Sequence, residues 1–120
     1  MRLNPININS VGKTIELYYG IFGVYVLGGW DIDVNNFNFT LKNIKTHKIV
    51  QPRTTLWRVQ SYEFGVKAKK IMILDITQSG QYNIEFKNQD QLKVWKSKFP
   101  IITRFFRHPI KKQNIQICII

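Results

Sequence analysis

Apolar and polar residues alternate along several short stretches of this chain, and the alternation predicts strands. Tyr82, Ile84 and Phe86 alternate with Gln81, Asn83, Glu85 and Lys87, the period-2 pattern of a strand with one buried face. Just upstream, residues 71–74 form a continuous apolar run, as in a strand covered on both faces. Between the two lie Thr77, Gln78, Ser79 and Gly80, a cluster of turn formers. The expectation is a β-hairpin around which the rest is organised, with Gly80 at positive φ in its turn.

The same patterning gives the other elements. Ile15, Leu17 and Tyr19 mark a first strand, and residues 22–27 a second, in which Gly23 suggests a bulge or a close backbone contact. Phe37, Phe39 and Leu41 mark a third. Residues 1–12 read as a lead-in and residues 31–36 as a polar connection. Residues 47–50 make a short strand, and Pro52 belongs to an edge or loop. Residues 54–64 are rich in β formers, with alternation that slips near Ser61. Short strands follow at Leu92 and Val94 and at Ile115, Ile117 and Ile119. Ile101, Ile102, Phe105 and Phe106 instead have one-turn spacing, which predicts a short amphipathic helix between Pro100 and Pro109.

Roughly eight strands with frequent turns and little helix predict an all-β, two-sheet antiparallel β-sandwich with one short helix near the C-terminus. The expected core is Tyr82, Ile84, Phe86, Ile71, Ile73, Phe37, Phe39, Leu41, Ile115 and Ile117. With 120 residues, 44% of them hydrophobic, the chain is long and apolar enough for one domain, 1–120. Its one cysteine, Cys118, excludes an intrachain disulfide framework.

The sequence Ile73-Leu74-Asp75-Ile76, then Gly80, Tyr82, Ile84 and Phe86, resembles a pattern of jelly-roll and galactose-binding-like sandwiches. There a strand ends in a turn glycine and the next starts at a tyrosine. The resemblance covers about 20 residues and is shared with immunoglobulin-like sandwiches. It implies architecture and carries no binding residues.

Charge adds a second theme. The formal net charge is +11, and residues 1–40 contribute −1 of it: Arg2 and Lys13 against Glu16, Asp31 and Asp33. No acid follows Asp90, while Lys93, Lys96, Lys98, Arg104, Arg107, Lys111 and Lys112 do. Such asymmetry points to an anionic partner: nucleic acid, an anionic membrane surface or an acidic protein. Abundant Ile, Lys and Asn also fit a coding bias toward A and T, in which lysine is the default surface residue.

Several motifs come close to a chemistry and miss it. Val11-Gly12-Lys13-Thr14 has the tail of a phosphate-binding loop, but that loop needs a glycine where Asn7 stands. Asp31, Asp33 and Asn35 have the alternating oxygens of a calcium loop, but Asn36 and Lys42 occupy its glycine and glutamate positions. Asn38-Phe39-Thr40 is a glycosylation sequon, with Asn38 expected to face outward. His47, His108 and Cys118 are too few and too scattered for a zinc site. No cofactor, metal or catalytic residue is expected, and the chain is read as a non-enzyme.

The expected binding face is Lys93, Trp95, Lys96, Lys98, Arg104, Arg107, Lys111 and Lys112. With Leu92 and Val94 inward, Lys93 and Trp95 would share the outward side. Cations beside an exposed aromatic suit phosphates and stacked bases, or an anionic lipid surface. Equally, the aromatics of residues 99–106 could plug one end of the sandwich while the charges solvate its rim. The function expected is a non-catalytic binding module for an anionic partner. A carbohydrate-binding module, resting on Trp30, Trp57, Trp95 and five tyrosines, is the alternative. A third is an immunity- or interaction-type protein that masks a protein partner. Without an apolar run of about 18 residues or a signal-like start, the default compartment is cytoplasmic, or secreted if a leader has been removed.

Overall fold

The structure, a computed structural model, describes residues 3–95 and 114–120. Among them are the strands β1 (Ile6–Asn7), β2 (Lys13–Leu17), β3 (Gly20–Leu27), β4 (Asp31–Asp33), β5 (Asn38–Asn43) and β6 (Ile49–Val50). They continue with β7 (Arg53–Thr54), β8 (Gln60–Glu63), β9 (Val66–Ile76), β10 (Gly80–Lys87), β11 (Lys93–Trp95) and β12 (Gln116–Ile119), with one 3-10 turn at Gln89–Gln91. The expected helix at residues 99–106 lies outside the described residues.

The strands form two large antiparallel sheets and a small ladder. One sheet has the order β1-β12-β3-β9, and β7 and β8 both pair with the far side of β9. The second is β2-β10-β5-β6, and β4 pairs with β11 alone. Side chains from all three meet in one core: Val24 and Leu74 from the first sheet, Phe39 and Ile84 from the second, Ile32 and Val94 from the ladder. Burying such apolar surface is the main favourable term in folding. The chain is therefore the two-sheet antiparallel β-sandwich that its alternation predicts.

The expected core residues are buried, except that Ile73 is half-buried. The reason is a bulge. Val24 of β3 pairs with Met72, but the next residue, Tyr25, pairs with Lys70, so the register passes over Ile71. A bulge of this kind puts neighbouring side chains on one face. Ile71 and Met72 both enter the core, and Ile73 turns to the half-open side. The run 71–74 is thus a bulged strand rather than one covered evenly on both faces. The shift falls one residue beyond Gly23, where the sequence suggested a bulge.

The largest correction concerns the expected central hairpin. β9 and β10 do not pair: β9 belongs to one sheet and β10 to the other. Residues 77–79 carry the chain across the core. The Tyr82 hydroxyl donates to the Gln78 carbonyl at 2.6 Å and ties the crossover to the strand that follows. Because no tight hairpin turn exists here, Gly80 is not at positive φ. A Cβ at Gly80 would lie 3.2 Å from Asn43 Nδ2, a tight approach to a side chain rather than to backbone. A two-residue hairpin instead joins β8 to β9 through Phe64 (φ 53°) and Gly65 (φ 77°). Two left-handed central residues give the turn whose twist suits a two-residue hairpin.

Two stretches read as unstructured are strands. Ile6 of β1 and the following Ile8 are buried, and β1 pairs with β12. Asp31 to Asp33 is β4, with Ile32 and Val34 in the core, so its alternation serves packing. Conversely, residues 55–59, expected within one strand, leave the sheet.

Gly29 shows how closely the ladder fits. A Cβ on Gly29 would collide with the Trp95 backbone carbonyl. Backbone cannot rotate aside as a side chain can, so Gly29→Ala should destabilise by about 3 kcal/mol or more. Chemical denaturation of wild type and variant checks this; an unchanged midpoint would contradict the close approach.

Candidate functional site

The expected basic face has two members among the described residues. Lys93 is exposed, as predicted. Trp95 is 7% exposed, which corrects the expectation that it shares the open side with Lys93. The small ladder explains the error: Trp95 pairs with Asp31 next to the close approach at Gly29, and its ring is packed away. Space also brings in acids that the linear sequence keeps apart. Lys93 lies in register with Asp33, and Trp95 with Asp31. Lys96, Lys98, Arg104, Arg107, Lys111 and Lys112 lie outside the described residues.

The exposed tryptophan is Trp57. It is 81% exposed, and Leu56 before it is fully exposed. They sit where the edge of the first sheet is interrupted. Thr54 of β7 pairs with Met72 of β9, and the Val59 carbonyl accepts from the Lys70 amide at 2.9 Å. Residues 55–59 therefore step out from β9 and rejoin it two positions away, through the Val59 carbonyl, beside the Ile71 bulge. The excursion is tightly turned. The Trp57 amide donates to Thr55 Oγ1 at 3.1 Å, a local side-chain turn, and the Arg58 amide donates to the Leu56 carbonyl at 3.1 Å. With the backbone so folded, Leu56, Trp57, Arg58 and Val59 all face solvent to a large degree.

The downstream anchor of this loop is Trp30. Its Nε1 donates to the Ser61 carbonyl at 3.1 Å, and its ring meets Tyr62 edge-on at 5.2 Å. Lys67 Nζ lies 4.9 Å from the centre of the same ring, and Lys69 Nζ donates to the Trp30 carbonyl at 2.9 Å. A half-buried tryptophan in contact with Tyr62 and Lys67, register partners on adjacent strands, ties itself to the β8–β9 hairpin, and through it to one end of the excursion.

Another strongly exposed aromatic lies elsewhere. Tyr19, 75% exposed, lines a shallow groove with Gly20, Ile21, Asp75, Ile76 and Thr77. Its amide donates to Ser79 Oγ at 2.8 Å. Arg53 Nε donates to Asp75 Oδ2 at 2.8 Å, which raises the arginine pKa through that hydrogen bond and the carboxylate charge. Both side chains are about half open to solvent, so the pair adds little stability. Tyr18 beside it donates to Glu16 Oε1 at 3.0 Å, and this bond with the Glu16 charge raises the phenol pKa.

The other motifs resolve into structure. Gly12 (φ 69°) makes a turn, and Lys13 then begins a strand, where a phosphate loop would open a helix. Asn35, the third oxygen of the calcium-like spacing, uses Nδ2 to donate to the Gln91 carbonyl at 2.8 Å. Among the described residues no group of three or more His, Cys, Asp or Glu is placed to hold a metal ion. Asn38 of the sequon is half-buried, and its Oδ1 accepts from the Phe39 amide at 2.8 Å. Cys118 is fully buried beside Leu27 and Ala68 on the other face of the first sheet. No helix among the described residues is long and apolar enough to cross a membrane.

No family model matches this chain, and no curated protein or solved structure does so either.

The two tryptophans should respond oppositely to truncation. Trp95→Ala should cost about 3–5 kcal/mol of stability. Trp57→Ala should stay within about 0.5 kcal/mol of wild type, because its ring is in solvent. Denaturation midpoints read both, and a large loss from Trp57→Ala would mean that its ring packs on the protein.

Proposed function

We propose that this sandwich is a non-catalytic binding module for an anionic partner. The single observation behind this reading is the excursion at residues 55–59, which presents Trp57 and Leu56 to solvent with Arg58 between them and Val59. Exposing a tryptophan and a leucine side by side is unfavourable in water, and such patches mark contact sites. Trp and Arg are also the residue types that carry most binding energy where contacts form. Arg58 supplies a cation at the tip, and the net charge of +11 draws anions over a longer range. Lys93, Lys96, Lys98, Arg104, Arg107, Lys111 and Lys112 belong to that field in this proposal, and Trp57 replaces Trp95 as its aromatic element.

Retention on immobilised heparin tests the reading. Wild type should be held at low salt and released as salt rises, because bound counterions compete for the same anionic groups. Arg58→Ala should elute at lower salt. Passage of wild type through heparin at low ionic strength would contradict an anionic partner.

A specific observation favours a second reading, the glycan module. The Tyr19 groove sets an exposed ring and Ile21 beside the carboxylate of Asp75, a platform and a hydroxyl acceptor for a sugar. In that case a neutral polysaccharide should retard the protein in affinity electrophoresis even at high salt, and Tyr19→Ala should abolish the shift. No retardation with any neutral polysaccharide tried removes this alternative.

A further inference from the structure

We infer that the excursion at residues 55–59 is an anchor for an anionic phospholipid surface. The inference rests on the proposed function and names the partner class for that loop. Three features select lipid over the other anionic partners. The first is chemistry at the tip: Leu56 is fully exposed and Val59 about half exposed, next to Trp57. A base can stack on a tryptophan but offers little to a bare leucine, whereas acyl chains take up both. The second is the order of residues. Trp57 and Arg58 are neighbours, and these two types settle at headgroup depth, the indole at the interface and the guanidinium at phosphate. The third is charge complementarity. At +11, the chain is attracted to the negative surface potential of acidic lipids, and two copies of it repel each other. A second copy is therefore a poor occupant for this apolar tip.

The local backbone fits such a role. The Thr55 side-chain turn, the Leu56–Arg58 bond and the two attachments to β9 hold the tip in one compact shape before any contact is made. Little ordering is left for the moment of binding, which favours association. The tip is small, so the attachment is a reversible surface association that needs both the apolar residues and the charge.

The experiment uses the full chain and vesicles of phosphatidylcholine with or without phosphatidylserine, with heparin and a single-stranded oligonucleotide as comparison anions. Wild type should float with the phosphatidylserine vesicles and remain free of the neutral ones. Its tryptophan fluorescence should be quenched by brominated acyl chains. Trp57→Phe should still float but lose that quenching, because Trp95 is buried and Trp30 half-buried. Leu56→Ser/Trp57→Ser should weaken vesicle binding by about tenfold or more while keeping the wild-type melting temperature. Several results would overturn the inference. Binding to heparin or the oligonucleotide without vesicle binding leaves the anionic-partner reading standing and removes the lipid anchor. Vesicle binding unchanged in the double variant places the contact elsewhere. A self-associated wild type that becomes monomeric in the double variant makes the tip an interface between copies. Failure to bind any of the anions removes both readings together.

Discussion

The passage of the chain from β9 to β10 is the constraint on which the sandwich depends. In one step it moves from the first sheet to the second, and the two strands it joins carry much of both sheets. β9 is the long strand on which β3, β7 and β8 assemble, and β10 is the one that β2 and β5 flank. The bond from the Tyr82 hydroxyl to the Gln78 carbonyl closes this step, while the Tyr82 ring lies in the core. One residue thus belongs both to the crossover and to the interior that the crossover encloses. The bond is worth about 1 kcal/mol net, but an unpaired buried phenol in its place would cost more. Asn43 works similarly at the other side of Gly80: its Oδ1 accepts from the amides of Lys45 and Thr46 at 2.9 and 3.0 Å, and so buries a polar group without leaving that oxygen unpaired.

Much of the architecture is legible in the sequence because alternation reports burial directly. Tyr82, Ile84 and Phe86 enter the core as their spacing requires, as do Phe37, Phe39 and Leu41. What alternation does not report is the partner of a strand. The same residues, 71–87, are compatible with a hairpin and with a crossover, because both need two strands and a polar turn. The discriminating signal was the turn itself: Thr77, Gln78 and Ser79 precede the glycine, whereas Phe64-Gly65 fits a two-residue hairpin. A bulky phenylalanine in a left-handed position is unfavourable by local rules, which hid that turn. β1 and β4 were too short, and too rich in Asn and Asp, for their buried isoleucines to stand out.

Of the expected basic face, Lys93 is exposed as its place in the alternation requires, Trp95 is buried, and the other six cations lie outside the described residues. Composition pointed to a basic protein with exposed aromatic surface, and linear proximity of cations selected Trp95. Proximity in sequence says nothing about the strand across the ladder, and there Asp31 and Asp33 face Trp95 and Lys93 in register. Trp57 entered only the carbohydrate-binding alternative, beside Trp30 and Trp95, because Leu56 and Trp57 looked like ordinary members of a β-rich stretch. The break in alternation at two adjacent large apolar residues, following Thr55, was the available sign. The slip noted near Ser61 marks no bulge, since β8 pairs with β9 in unbroken register through that residue.

The interrupted edge beside β9 has a consequence for the protein as a solute. An uninterrupted outer strand would offer an even row of amides and carbonyls on which another chain could grow. Here β7 and β8 present two short pieces separated by an outward step, so a foreign strand laid along this border loses register after a few residues. The same detour that puts Trp57 in solvent therefore makes this margin of the sheet a poor template for aggregation.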